Sequence, residues 1–407
     1  MKVCVVGLGY IGFPTACVMA DAGHEILGVD VNVDLVEKLN NGDLHIVNEN
    51  GLADLARRVH SSGHLRVSER PEESDVFIIA VPTPLRYRKH PADDITSRPG
   101  AQACGDAEKE RASMPYIGAQ EAAAAAELVV SSGMGIVLRA DLSHIEDATR
   151  SIVPFVRPGD LVVLESTVPP GTTADVVYKI LQTEAGADCS SDVFVAHAPE
   201  RVLPGNILHE LRHNDRIVGG MNNEATERAV AFYKTFVLGD VIGTDATTAE
   251  TVKLMENPFR DVNIALANEF AVIAERLGID IFGAIGLANR HPRVSFLRPG
   301  PGVGGHCIAI DPYFIIDSAP DEAQLIRLAR EINSRMPQHV LTLFEALVQE
   351  AGNIGKRIHT VGMLGASYKA NVGDERESPA LEIASLVRER GYDVIIHDPY
   401  IQRFAEQ

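Results

Sequence analysis

MKVCVVGLGYIG, residues 1–12, decides the fold. Residues 2–6 read as an apolar strand that feeds Gly7, Gly9 and Gly12, and a helical stretch follows through residue 22. A second strand at 25–29 ends in Asp30. In such a unit Gly7 permits the tight turn, Gly9 lets a pyrophosphate approach the backbone, and Gly12 lets the helix pack closely on the sheet. The helix N-terminus then faces the phosphates, with Tyr10 and Ile11 in the same turn. Asp30 lies 18 residues beyond Gly12, where its carboxylate accepts from both ribose hydroxyls. A carboxylate there repels a 2′-phosphate, so the expected cofactor is NAD rather than NADP.

Working outward, apolar runs at 76–81, 161–164, 193–197 and 217–219 alternate with helical patterns, the rhythm of a mostly parallel sheet with helices on both faces. From 247 to 277 apolar residues recur at helical spacing, with Pro258 expected to kink the helix. The stretch 321–350 reads as further helix, broken near Pro337. A strand at 359–364, a helix at 378–390 and a strand at 393–397 then outline a second nucleotide-binding-type lobe. The expected fold is α/β: two Rossmann-like, doubly wound lobes joined by a long central helix and a helical middle domain. The expected division is 1–220 for the NAD lobe, 221–350 for the middle domain with a cysteine loop, and 351–407 for a partial terminal lobe.

Composition narrows the function. A formal charge of −19 over 407 residues argues against a nucleic-acid partner, because neutralising phosphates needs a basic face. No apolar run reaches bilayer length, and the first residues form a strand rather than a charged leader before an apolar stretch, so the expected location is the cytoplasm and no membrane partner is expected. The five cysteines are odd in number and scattered without C-x-x-C pairs, which indicates neither a disulfide framework nor a zinc site.

One of them stands apart. In RPGPGVGGHCIAIDPYF, residues 298–314, Cys307 follows a glycine-rich run and precedes Asp311 by four residues. A thiol approached by bare backbone, with a carboxylate nearby, suggests covalent catalysis on a carbonyl. Lys253 and Asn257 are one helical turn apart and share a helix face. Asp311-Pro312 also reads as an N-cap followed by proline at the first helical position.

Eight motifs carry a family likeness: GLGYIG at 7–12, AVPTP at 80–84, ESTVPPGTT at 165–173, APERVLPG at 198–205, KLMENPFRDVNIALANE at 253–269, ANRHPRV at 288–294, GPGVGGHCIAIDP at 300–312 and SYKANVGDERESPA at 367–380. In this order the chain resembles the UDP-glucose/GDP-mannose dehydrogenase family, and within it the branch acting on UDP-N-acetylmannosamine. The resemblance implies an enzyme that oxidises C6 of a UDP-sugar twice, from alcohol to carboxylate, with two NAD per sugar. It makes Cys307 the nucleophile of a thiohemiacetal and then a thioester, and Lys253 and Asn257 the stabilisers of the oxyanion. Asp311 would orient or activate water, while Thr167 and Glu200 would hold a water and take part in proton transfer. Thr83 and Thr167 join the cofactor set.

For the sugar nucleotide the resemblance points to Glu200, Arg201 and Val202, to Lys253, Asn257 and Arg260, and to His291, Arg293 and Gly304. Lys369 and Arg376 complete that set. It also implies a homodimer formed through the long helix. Two departures from the family stand out: an insertion at about 85–140, with an alanine-rich piece at 119–130 of good helix propensity, and an end only seven residues, IQRFAEQ, after the HDPY turn. Two further readings stay open: the same chemistry on UDP-glucose or UDP-N-acetylglucosamine, and a catalytically weak relative that binds NAD or a nucleotide sugar.

Overall fold

The computed structural model describes residues 1–46, 49–89, 136–185, 192–305 and 307–401. They fall into two compact units, Met1–Thr83 with Ala140–Met255, and Pro84–Arg139 with Glu256–Gln407. In chain order the first ninety residues give β1 (Lys2–Val6), α1 (Gly12–Asp21), β2 (Glu25–Val29), α2 (Val33–Asn40), α3 (Leu52–Ser61), β3 (Leu65–Ser68), β4 (Val76–Ile79) and β5 (Leu85–Lys89). After the undescribed stretch come β6 (Ile136–Ala140), α4 (Ser143–Ile152), β7 (Leu161–Leu164), α5 (Lys179–Glu184), β8 (Phe194–His197), α6 (Ile207–His213), β9 (Arg216–Gly220), α7 (Asn223–Tyr233) and β10 (Val241–Asp245).

The first unit is built on an eight-stranded sheet of order β10-β9-β8-β7-β4-β1-β2-β3. Its neighbours pair in parallel, as Val3 does with Ile26 and Val76, except β8 and β9, where Ala196 faces Gly220 antiparallel. Both faces are covered. Along β1, Val3 and Val5 enter one core with Phe13, Met19 and Leu55, whereas Cys4 and Val6 enter another with Ile145, Ile152 and Val177. A strand buried on both sides must be apolar at every position, which is why β1, β4 and β7 read as continuous runs.

In the second unit lie most of α8 (Ala246–Leu277), then α9 (Ile281–Ala288), α10 (Asp311–Ser318), α11 (Gln324–Asn353), β11 (Thr360–Leu364), α12 (Pro379–Glu389) and β12 (Asp393–His397). Strands β11 and β12 pair in parallel, Thr360 with Asp393 through Leu364 with His397. With α12 between them they form a βαβ unit, and Ile383 and Val387 of α12 share a core with Leu341 of α11. The α/β class and the parallel-dominated, doubly wound sheet are as expected from the sequence.

Two local expectations are corrected. Pro337 does not break a helix: α11 runs through it for 30 residues. Proline removes one backbone donor, but here it is buried on the face that α11 packs, and the turns on both sides hold the helix. Asp311 does not cap α10 either. It is the first helical residue, behind Ile310 at the cap, and its carboxylate is used elsewhere. The segment read as an insertion is described only at its ends, as the two-stranded pair β5 and β6. Its alanine-rich piece at 119–130 lies outside the described residues. Among the described residues no helix is long and apolar enough to cross a membrane, and no group of three or more His, Cys, Asp or Glu could hold a metal ion.

Candidate active site

In the first unit the turn between β1 and α1 is fixed by backbone and one carboxylate. Gly7 N–H donates to Val29 O at 2.8 Å, and Leu8 N–H donates to Asp30 Oδ2 at 2.8 Å. Asp30 Oδ1 accepts from Asn32 N at 2.9 Å, so the carboxylate at the end of β2 is held from both sides. A Cβ on Gly12 would stand 1.9 Å from Gly7 O, which only the missing side chain allows. At Gly9, by contrast, a Cβ would meet nothing within 4 Å. An open approach at Gly9, a helix start without a side-chain cap and a fixed carboxylate beyond β2 together fit the pyrophosphate and ribose of NAD.

Thr83 and Thr167 are joined directly, Thr83 Oγ1 donating to Thr167 O at 2.5 Å. The rest of that loop is also pinned. Ser166 Oγ donates to Val81 O at 2.7 Å, and the buried Glu250 carboxylate accepts from Gly171 N at 2.5 Å and Thr173 N at 2.7 Å. Glu250 lies on α8 three residues before Lys253, so one short stretch of helix sets the Thr167 loop and carries a buried lysine.

Glu200 is part of a buried charged cluster. Its Oε2 pairs with Arg216 Nη1, and its Oε1 accepts from Arg201 N at 2.6 Å. Arg216 also holds Glu165 at 2.9 Å, which accepts from Tyr233 Oη at 2.6 Å. Burial pushes the Glu165 carboxyl up against the opposing pull of Arg216. Two carboxylates around one guanidinium leave the cluster with a formal excess of negative charge.

In the second unit Asn257 Nδ2 donates to Asp311 Oδ2 at 2.5 Å, linking α8 to the first turn of α10. Cys307 is exposed, and its carbonyl accepts from Ile310 N at 3.1 Å and Asp311 N at 2.9 Å. Burial instead pushes the thiols of Cys4 and Cys17 up to about 12, which leaves them protonated packing groups. The glycine run before Cys307 threads a narrow place: a Cβ on Gly304 would lie 2.3 Å from Glu377 O. Gly305 faces the Tyr368 ring and donates to Arg376 O at 3.0 Å. The Tyr368 phenol is pushed up by burial, with Asp374 and Cys307 adding to the effect, so Cys307 lies within its electrostatic reach.

A chain of buried amides supports the same run from the other side. Asn268 Oδ1 accepts from Gly300 N at 2.8 Å, Asn268 Nδ2 donates to Asn333 Oδ1 at 2.9 Å, and Asn333 Nδ2 donates to Asp261 Oδ1 at 2.8 Å. Arg330 Nη1 completes the chain, 2.7 Å from Asp261 Oδ1. Of the remaining candidates, Val202 packs on the core of the first unit and Arg201 Nη1 donates to Asp215 O at 3.0 Å. Arg260, His291, Arg293 and Arg376 are exposed, and Lys369 is half-buried. Arg376 forms a two-armed pair with Asp374, at 2.9 and 2.7 Å. A surface cavity of about 580 Å³ beside Lys2, Glu25, His64 and Asp75 lies at the other end of the strands from the glycine turn.

Sequence reasoning missed Glu165, Arg216, Tyr233, Asn268, Asn333 and Tyr368. Only Glu165, Asn268 and Tyr368 had a signal, each inside a motif already singled out.

Three family models match the chain: the UDP-glucose/GDP-mannose dehydrogenase NAD binding domain over residues 1–97 and 106–237, the central domain over 247–335 and the UDP binding domain over 362–407. The chain belongs to the UDP-glucose/GDP-mannose dehydrogenase family. Its relatives include a UDP-N-acetyl-D-mannosamine dehydrogenase of Methanococcus vannielii, 42% identical over 99% of this chain and 81% of the relative. Another is an NDP-N-acetyl-D-galactosaminuronic acid dehydrogenase of Ralstonia nicotianae, 43% identical over 98% of this chain and 83% of the relative. Among solved structures, a UDP-D-ManNAc dehydrogenase of Pyrococcus horikoshii aligns with a TM-score of 0.81 at 40% identity, covering 99% of this chain and 84% of that one. As a member of this family the chain is an NAD-dependent UDP-sugar dehydrogenase, and the glycine turn of its first unit lies in the matched NAD binding domain.

Proposed function

We propose that this enzyme oxidises the C6 hydroxyl of UDP-N-acetylmannosamine to the carboxylate, with Cys307 as the covalent nucleophile. The observation that carries the reading is the exposed Cys307 thiol on a glycine run, four residues before an aspartate that binds Asn257. The sugar is suggested by the names of relatives matched over nearly the whole chain. When bound at the glycine turn, held by Gly7, Gly9, Tyr10, Ile11, Gly12, Asp30, Thr83 and Thr167, NAD supplies the hydride acceptor for both oxidations.

The residues divide the remaining work. Cys307 Sγ, as thiolate, adds to the C6 aldehyde; a carbon–sulfur bond forms and the carbonyl oxygen becomes an oxyanion that takes a proton. Loss of hydride from that carbon, with the hydroxyl proton released to solvent, leaves a thioester, and water then breaks the carbon–sulfur bond to give the acid and the thiol. Lys253 stabilises the oxyanion by charge and Asn257 by its amide, which Asp311 orients. Thr167 and Glu200 hold the water, Arg216 fixing the Glu200 carboxylate. Glu200, Arg201, Val202, Arg260, His291 and Gly304 contact the sugar nucleotide, and Arg293, Lys369 and Arg376 supply positive charge for its diphosphate. The working form is a dimer, which the apolar side chains exposed along α8, Phe259 and Phe270 among them, support.

The test is the yield of NADH per limiting UDP-N-acetylmannosamine, compared with UDP-glucose and UDP-N-acetylglucosamine. About two NADH per sugar is expected, and Cys307→Ala should abolish carboxylate formation. Undiminished double oxidation by that variant would sink the covalent route; turnover of UDP-glucose alone would move the sugar assignment.

A further inference from the structure

Glu49 joins the cofactor turn to the loop of the first unit that the proposed function assigns to the sugar. It stands between α2 and α3 and belongs to none of the motifs above. Its Oε1 accepts from the Tyr10 hydroxyl, in the glycine turn, and from Gly205 N at 2.6 Å. Its Oε2 accepts from Ile207 N at 3.2 Å, at the start of α6. The next residue strengthens the contact, Asn50 Nδ2 donating to Gly205 O at 3.4 Å. Gly205 ends APERVLPG, the loop that carries Glu200, Arg201 and Val202. One carboxylate therefore takes hydrogen bonds from two loops that are 156 and 39 residues away from it along the chain. Charge-assisted bonds of this kind are the stronger and more directional ones.

We propose that Glu49 is a positioning residue that couples cofactor binding to sugar-nucleotide binding. A nucleotide sugar that orders the 198–206 loop fixes Gly205 and Ile207 against the carboxylate, which holds the Tyr10 hydroxyl and with it the glycine turn. By linkage the reverse holds with the same factor: cofactor in the turn favours the sugar loop in its binding form. The inference rests on the assignment of residues 200–202 to the sugar. If Glu49 served only as a structural brace, its loss would lower stability or both affinities and leave their mutual dependence unchanged.

The experiment titrates the enzyme with NADH, followed by fluorescence, with and without saturating UDP-N-acetylmannosamine. Both ligands are reduced, so no turnover intervenes. In the wild type the sugar should tighten NADH about tenfold, within the usual range of such couplings. In Tyr10→Phe that factor should fall below about threefold, and in Glu49→Ala to about one. Tyr10→Phe keeps the Glu49 bonds to Gly205 and Ile207, so it remains decisive if Glu49→Ala does not fold. A wild-type factor of one with both ligands bound, or the full factor retained in Tyr10→Phe, overturns the coupling while leaving the proposed function intact. Failure of the sugar to bind the wild type at any NADH concentration overturns both.

Discussion

The molecule contains two glycine loops with chemistry assigned to them, and they are shaped by different means. The turn at 7–12 takes its form from its immediate surroundings: Val29 O and Asp30 receive its amides, and Gly12 packs against Gly7 O. The run at 300–305 takes its form from distant parts of the second unit, with Asn268 on α8 holding Gly300, and Tyr368 and the Arg376 carbonyl holding Gly305. A loop shaped by its own neighbours tolerates change elsewhere. A loop hung on a buried amide chain inherits every weakness of that chain, down to the Arg330–Asp261 pair at its foot.

Replacing Arg330 by Met should therefore have the largest effect. It strands the Asp261 carboxylate, whose side chain is fully buried, and breaking such a pair costs about 3–5 kcal/mol. The urea midpoint of the variant should fall accordingly, while NADH affinity of the folded protein stays within about twofold because the glycine turn shares no partner with the network. A parallel loss of NADH binding would break the contrast. Next come Gly12→Ala and Gly304→Ala, which force a methyl to within 1.9 Å of Gly7 O and 2.3 Å of Glu377 O. Overpacking of this sort costs about 1–3 kcal/mol. The first should weaken NADH binding, and the second should leave it unchanged and alter the rate at which iodoacetamide alkylates Cys307. If both variants damaged the same function, the two loops would not be independent.

The same contrast explains what could be read from the chain alone. β1, the turn, α1 and β2 were legible because each depends on residues close in sequence: a valine run, a glycine spacing, an acid at the strand end. The 300–305 run was legible as a motif but not as a structure, since Asn268 and Asn333 look like ordinary helix residues and lie 65 positions apart. Glu165 and Arg216 were hidden for the same reason, 51 positions apart on different strand ends. Asp311 shows the limit from the other side. Its sequence pattern resembled a cap, yet its carboxylate is taken by Asn257, 54 positions away, and tertiary partnership overrode local preference. The unbroken α11 through Pro337 is another case, where packing of a long helix outweighed the loss of one donor.

The smallest effect sharpens the comparison through two strand-end aspartates, one in each unit. Asp160, just before β7, accepts from Arg157 N at 2.7 Å, but burial, with Asp75 and Glu73 nearby, pushes its carboxyl up to about 6. Asp398, just after β12, is also penalised by burial, yet the amides of Ala366, Tyr400 and Ser367 and the Ser367 hydroxyl bring it down to about 2. The signs are opposite. A carboxyl raised in the folded state binds a proton that the unfolded chain releases, so between about pH 4 and 6 Asp160 makes stability fall as pH rises. Asp398 contributes stability above about pH 4 that disappears as pH falls toward 2. Asp160→Asn, which keeps an acceptor for Arg157 N, should raise the thermal midpoint at pH 7 by the equivalent of about 1 kcal/mol after discounting for solvent screening, and the gain should vanish near pH 4. Asp398→Asn should lower the midpoint at pH 7 and approach the wild type in acid. A gain for Asp160→Asn that persisted below pH 4 would show that the variant acts through packing rather than charge.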